Sequence, residues 1–181
     1  VYVAEMGLGN EAIVKNNVIR ADPTTGFGYT AGVLVGNSSN VDKPADAMIK
    51  GNDIDTGSGS PAGAAINVLS GGDNNHESVS IRDNELRGDA GGLRSISKLI
   101  VKNNKIFPSV ARAPASALDV EVSGSATTTI EYNTFDGSSG DTALDDDGDS
   151  LDLGNIISNN WFKRSGVTAT ARDDVNVIKC S

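Results

Sequence analysis

Ile81-Arg-Asp-Asn84-Glu-Leu86 and Val101-Lys-Asn-Asn104-Lys-Ile106 share one pattern: an apolar residue, two variable residues, Asn, one variable residue, and a second apolar residue. Four further stretches repeat it. They are Val14-Lys-Asn-Asn17-Val-Ile19, Ile49-Lys-Gly-Asn52-Asp-Ile54, Ile130-Glu-Tyr-Asn133-Thr-Phe135 and Ile157-Ser-Asn-Asn160-Trp-Phe162. A fixed self-similar unit is the mark of a repeat architecture. Successive asparagines are 35, 32, 20, 29 and 27 residues apart. That irregular period excludes a strict hexapeptide or nonapeptide solenoid. Leucine-rich, ankyrin and tetratricopeptide repeats fail on both spacing and residue type.

The unit has a direct physical reading. The first apolar residue points inward from a strand, and the chain bends sharply at the variable pair. Asn turns back toward the interior, and the last apolar residue opens the next strand. An amide suits such a bend because it can bond nearby backbone. Its two donors and two acceptor sites can also link the units above and below. With strands stacked about 4.8 Å apart, Asn17, Asn52, Asn84, Asn104, Asn133 and Asn160 are expected to form a ladder. Two residues before the first apolar position stand Ala12, Ala47, Val79, Leu99, Thr128 and Asn155, of which Val79 and Leu99 fit an inward place well.

Between the anchors lie further strand candidates: Gly32-Val33-Leu34-Val35, Ala65-Ile66-Asn67-Val68, Leu118-Asp-Val120-Glu-Val122 and Leu151-Asp-Leu153. Val175-Asn-Val177-Ile178 reads as a closing strand. No long stretch carries 3.6-residue apolar periodicity, so helices should be few. The shortest interval, from Asn84 to Asn104, approximates a bare coil. The longer ones carry Gly-, Ser- and Pro-containing loops such as Asp22-Pro-Thr-Thr-Gly26 and Gly57-Ser-Gly-Ser-Pro-Ala-Gly63. Residues 1–181 are therefore expected to form one all-β domain, a right-handed parallel β-helix of about six to seven coils with loop insertions. At this point the pattern resembles the parallel β-helix repeat of pectate-lyase-like enzymes, alginate epimerases and lyases, and phage tailspikes, over about Ile13 to Phe162. That resemblance implies a fold. It does not imply one function, because such scaffolds host enzymes, adhesins and structural proteins.

Composition agrees. Of 181 residues, 21 are Gly, 38% are hydrophobic and only 4% aromatic, which suits short strands and tight turns rather than an aromatic-rich bundle. The net charge of −9 argues against a nucleic-acid partner, which needs a basic footprint. No apolar run reaches the ~20 residues that span a bilayer. A single cysteine, Cys180, precludes an intrachain disulfide framework or cysteine metal site. The chain begins with Val1, which fits a processed product or part of something longer.

Candidate chemistry falls in four places. The residues after each first apolar position are Lys15, Lys50, Arg82, Lys102, Glu131 and Ser158. In stacked coils the four cations form an outer column able to meet an acidic polysaccharide, or to neutralise a uronate carboxylate in a β-elimination. The competing reading pairs them with Asp53, Asp55, Asp83 and Glu85 on the same bends. Tyr132 and Trp161 fall near adjacent bends, where a ring could stack on a sugar or pack on a partner subunit. His76, in Asp73-Asn-Asn-His-Glu77, is the one histidine and reads as an exposed loop residue. Asp145, Asp147, Asp149 and Asp152 alternate around Gly148 as in a calcium loop, although no Glu stands at the twelfth position.

Lyases and epimerases need a base and a carboxylate-neutralising group, and hydrolases need two placed carboxylates about 5–9.5 Å apart. Neither set can be identified in the sequence. The Asp-Pro-His-type motif of epimerases resembling this fold is absent, since Thr24 follows Asp22-Pro23. The expectation is a non-enzymatic structural or glycan-contacting module of a virion spike, decoration protein or other extracellular surface assembly. It would need no cofactor, with calcium as an option. Its partners would be other protein subunits in a homo-oligomer or larger assembly, and polysaccharide. The alternatives are a lyase or epimerase acting on an acidic glycan, and a calcium-dependent adhesin fragment.

Overall fold

A computed structural model describes residues 1–3, 11–20, 31–36, 46–56, 64–68, 78–88, 90–94, 96–107, 116–121, 127–136, 142–146 and 156–163. Among them there are eighteen strands and no helix. The strands form three parallel sheets of six. Sheet A holds β1 (Tyr2–Val3), β4 (Ala31–Val35), β7 (Ala64–Val68), β10 (Ala90–Arg94), β13 (Ser116–Glu121) and β16 (Thr142–Asp146). Sheet B holds β2 (Glu11–Lys15), β5 (Asp46–Lys50), β8 (Val79–Arg82), β11 (Lys98–Lys102), β14 (Thr127–Glu131) and β17 (Ile156–Ser158). Sheet C holds β3 (Val18–Arg20), β6 (Asp53–Asp55), β9 (Glu85–Arg87), β12 (Lys105–Phe107), β15 (Thr134–Asp136) and β18 (Trp161–Lys163). Each strand pairs with the strand three places on, so the chain visits A, B and C in rotation for six circuits.

The corner from B to C is the repeated unit itself. Two residues separate the strands in every circuit, and the second is always the repeated Asn. The first takes a left-handed conformation, with φ between 55° and 65° at Asn16, Gly51, Asp83, Asn103, Tyr132 and Asn159. Gly, Asn and Asp tolerate that region, and they fill five of the six places. Tyr132 is the exception. Gly51 is doubly required, because a Cβ there would lie 2.5 Å from Asn16 Oδ1.

Inward side chains stack in columns. Val14, Ile49, Ile81, Val101 and Ile130 are in register across sheet B, and all are buried. Ile19, Ile54, Leu86, Ile106 and Phe135 stack likewise across sheet C, the last four buried and Ile19 half-buried. Sheet A closes the core with Val33, Val35, Ile66, Val68 and Leu93. A second inward column in sheet B runs Ala12, Ala47, Val79, Leu99 and Thr128. The expectation that only Val79 and Leu99 fit that place is corrected, since Ala47 and Thr128 are also fully buried. Size varies at this position while direction does not, because direction follows the two-residue period of the strand.

The interval from Asn84 to Asn104 contains a complete third strand, β10. Its register against β13 shifts by one residue between Ala90 and Leu93, a bulge spanning Gly91 and Gly92. The strand candidates at Leu151 and Val175 lie outside the described residues.

Candidate functional site

The B–C corner organises every candidate residue that can be placed except Asp145, which lies on sheet A. Its inner face is the asparagine ladder. The backbone N–H and the side-chain Nδ2 of Asn52 donate to Oδ1 of Asn84 at 2.9 and 3.0 Å. The second Nδ2 hydrogen of Asn52 goes to the Val14 carbonyl at 2.9 Å. Asn84, Asn104 and Asn133 repeat this arrangement, donating backward to Ile49, Ile81 and Val101 and forward to the next asparagine. Each interior amide therefore uses both donors and both acceptor sites, as a buried amide requires. These four asparagines are no more than 2% exposed. They hold the circuits together and have no capacity left for a ligand.

The ladder ends differ. Asn17 is exposed, and its Nδ2 folds back onto its own Lys15 carbonyl at 3.1 Å. Asn160 accepts from Asn133 and donates to the Ile130 carbonyl at 2.8 Å, but has no following asparagine.

The outer face carries the cation column. Lys15, Lys50, Arg82, Lys102, Glu131 and Ser158 are neighbours in register on sheet B. Their pairing with acids is partial. Lys50 reaches Asp83 at 3.5 Å, and Lys102 reaches Glu131 at 3.4 Å. Arg82 Nε donates to Ser80 Oγ at 2.8 Å, while Lys15 has no carboxylate partner among the described residues. Two of the expected acidic partners are engaged elsewhere. Asp53 pairs with Arg20 at 2.6 Å, and Glu85 pairs with Arg87, both on sheet C. Those acids start the next strand and face away from the column, which adjacency in sequence does not reveal.

At the far end of the column, Ser158 Oγ donates to Glu131 Oε1 at 2.8 Å, and the Lys102 ammonium adds its charge. Together they hold the Glu131 carboxyl below its ordinary value against the opposing effect of burial. Lys102 Nζ also lies 5.1 Å from the centre of the Tyr132 ring. Tyr132 thus belongs to the column, at its bend. Trp161 lies past the bend, exposed on the outer face of sheet C and beside Thr134 in register.

A second outer column was not anticipated. Ile13, Met48, Ser80, Ile100, Thr129 and Ile156 run beside the cations in register. Its signal in the sequence is consecutive apolar residues where alternation calls for a polar one, as in Ala12-Ile13-Val14 and Ile100-Val101.

For calcium, Asp145 lies on β16 with its backbone beside that of Asp119, whereas Asp147, Asp149 and Asp152 lie outside the described residues, as does His76. Among the described residues, no three acidic, histidine or cysteine side chains converge on a common point. No helix among them is long and apolar enough to cross a membrane. Comparison with protein-family models, with curated proteins and with solved structures gives no match to this chain.

Proposed function

We propose that this chain is a right-handed parallel β-helix that works as a non-catalytic, glycan-contacting module of an extracellular or virion surface assembly. The observation that carries the reading is the in-register column Lys15, Lys50, Arg82 and Lys102. Parallel strands repeat about every 4.8 Å. That interval is close to the rise per sugar of an extended pyranose chain, so consecutive cations can meet consecutive carboxylates of a linear polyuronate. The exposed Lys50–Asp83 pair does not oppose this strongly, since such a pair contributes about 0–1 kcal/mol and an incoming polyanion can displace it. The column beside the cations carries Ile13, Met48, Ile100 and Ile156 and, with Tyr132 at one bend, offers apolar surface for sugar-ring faces.

The fold part of the reading is supported by three-sheet rotation, constant two-residue corners and a continuous buried amide ladder. Titration with polygalacturonate and alginate oligosaccharides tests the reading. The expected result is binding that weakens steeply with salt, no binding to neutral glucans, and no ultraviolet-absorbing unsaturated product. Equal affinity for neutral glycans would sink the column as the site, and release of unsaturated product would establish a lyase instead.

A further inference from the structure

The outer column of sheet B changes sign inside the stack. Lys15, Lys50, Arg82 and Lys102 are followed in register by Glu131 and then Ser158. With strands about 4.8 Å apart, a uronate chain that sets one carboxylate on Lys102 would set the next on the Glu131 carboxylate, where like charges repel. The Glu131 side chain is only 18% exposed and is held by Ser158 and Lys102, so it is not free to swing aside.

The corner beside Glu131 is a second departure. Five of the six corner places hold Gly, Asn or Asp, and Tyr132 takes the other at φ of 56°. A ring is kept there against a backbone preference that Asn would satisfy. Residues held in such conformations cluster at binding sites. Core packing does not account for this one, since Tyr132 is 51% exposed. Lys102 Nζ lies 3.4 Å from Glu131 Oε2 and 5.1 Å from the centre of the Tyr132 ring, so the two departures meet at one point.

The chemistry of that point selects its occupant. An acidic sugar meets the Glu131 carboxylate. A cationic one meets Lys102, which already lies against both the carboxylate and the ring. An uncharged sugar meets neither obstacle. Its hydroxyls can donate to Glu131, whose oxygens each accept one bond, from Ser158 at 2.8 Å and from Lys102 at 3.4 Å, and keep further acceptor sites. Its C–H face can lie against the tyrosine ring. We infer that the Glu131–Tyr132 corner is a subsite for an uncharged, hydroxyl-bearing sugar next to a run of uronates, which makes the ligand an acidic heteropolysaccharide rather than a homopolyuronate. This inference rests on the reading of the cation column as a polyuronate site. The cations supply affinity, and Glu131 and Tyr132 set specificity one circuit past Lys102.

Isothermal titration with defined pentamers tests it. The probes are pentagalacturonate, and tetragalacturonate extended by one galactose at the reducing or at the non-reducing end. The parent chain should bind one of the two galactose-extended pentamers about 3–10-fold more tightly than pentagalacturonate, the contribution of one ring contact. Tyr132→Asn should abolish that preference while keeping the β-strand circular dichroism spectrum, because Asn suits the corner. Glu131→Gln should narrow it, because an amide no longer repels a uronate. Asp83→Asn is the control: it releases Lys50 from its carboxylate without touching the corner, and should raise affinity for all three probes alike. Equal affinity of the parent for all three pentamers would overturn the subsite and leave the column standing. A preference that survives both Tyr132→Asn and Glu131→Gln would overturn it as well. Failure of the parent to bind any of the three would overturn the column and the subsite together.

Discussion

Asn104 Oδ1 receives two hydrogen bonds from Asn84, one from its backbone N–H and one from its side-chain Nδ2, both at 3.0 Å. One residue thereby joins the corner of its own circuit to the corner of the next. Its remaining Nδ2 hydrogen reaches the Ile49 carbonyl in the circuit before. Replacing Asn84 with Ala strands the two Asn52 donors and the Ile49 carbonyl in the core. Each buried orphan costs about 1–3 kcal/mol, so a loss of about 3–5 kcal/mol is expected. Asn17→Ala, at the exposed end, should cost under ~1 kcal/mol. Urea denaturation of the two variants checks this, and equal effects would contradict the ladder.

Tyr132 holds a left-handed corner with φ of 56°. That conformation costs a non-Gly residue about 1–2 kcal/mol, and Asn tolerates it better. Tyr132→Asn gives up the contact with Lys102, about 0.5–1 kcal/mol at an exposed site. The balance favours a small gain in melting temperature. Gly51→Ala should lower it instead, through the same backbone penalty and the approach to Asn16 Oδ1. Thermal melts that place both variants on the same side of the parent would contradict this account of the corner.

Acid should weaken the column's far end and the Arg20–Asp53 pair. The Glu131 carboxyl is held low by the Ser158 hydroxyl and Lys102, and the Asp53 carboxyl by Arg20. A carboxylate with a depressed value in the folded state stabilises the fold at pH above its unfolded value, and that contribution is lost as pH falls through the folded value. Stability should therefore decline as pH falls below the ordinary carboxylate range. The Glu131→Gln variant should show a shallower decline, with Ser158 still able to donate to the amide oxygen. An identical acid profile for parent and variant would remove Glu131 from the explanation.

Lys50→Glu with Arg82→Glu reverses the middle of the cation column. Both positions are on the outer face, so the fold should tolerate the change to within about 1 kcal/mol. Affinity for polygalacturonate should fall by at least ~10-fold, which corresponds to about 1.4 kcal/mol, and its salt dependence should flatten. Unchanged affinity in isothermal titration would place the glycan elsewhere.

Much of the scaffold is legible because one residue type recurs for one reason. A buried amide facing inward at a tight corner must find four partners, and stacking on its own kind supplies them. That necessity writes itself into the sequence as Asn at a fixed place between apolar residues. The left-handed position was equally legible in principle, as Asn16, Gly51, Asp83, Asn103 and Asn159 all stand directly before the ladder asparagine. The strands β10 and β16 were harder to read. Gly91 and Gly92 suggest a turn, and Thr142–Asp146 opens an acidic run, yet both segments pair because their neighbours in sheet A supply the ladder.

The sequence by itself determined the corner, since a six-residue unit contains its own bend, its inward amide and both inward apolar residues. The tertiary structure decided which charges meet. Lys50 reaches Asp83 from the next circuit, and Asp53 turns to Arg20 from the circuit before, although Asp53 is only three residues from Lys50. Parallel stacking sets side chains some 20 to 35 residues apart shoulder to shoulder, and the corner sends near neighbours in sequence to different faces. The cation column and the outer column beside it both follow from that register.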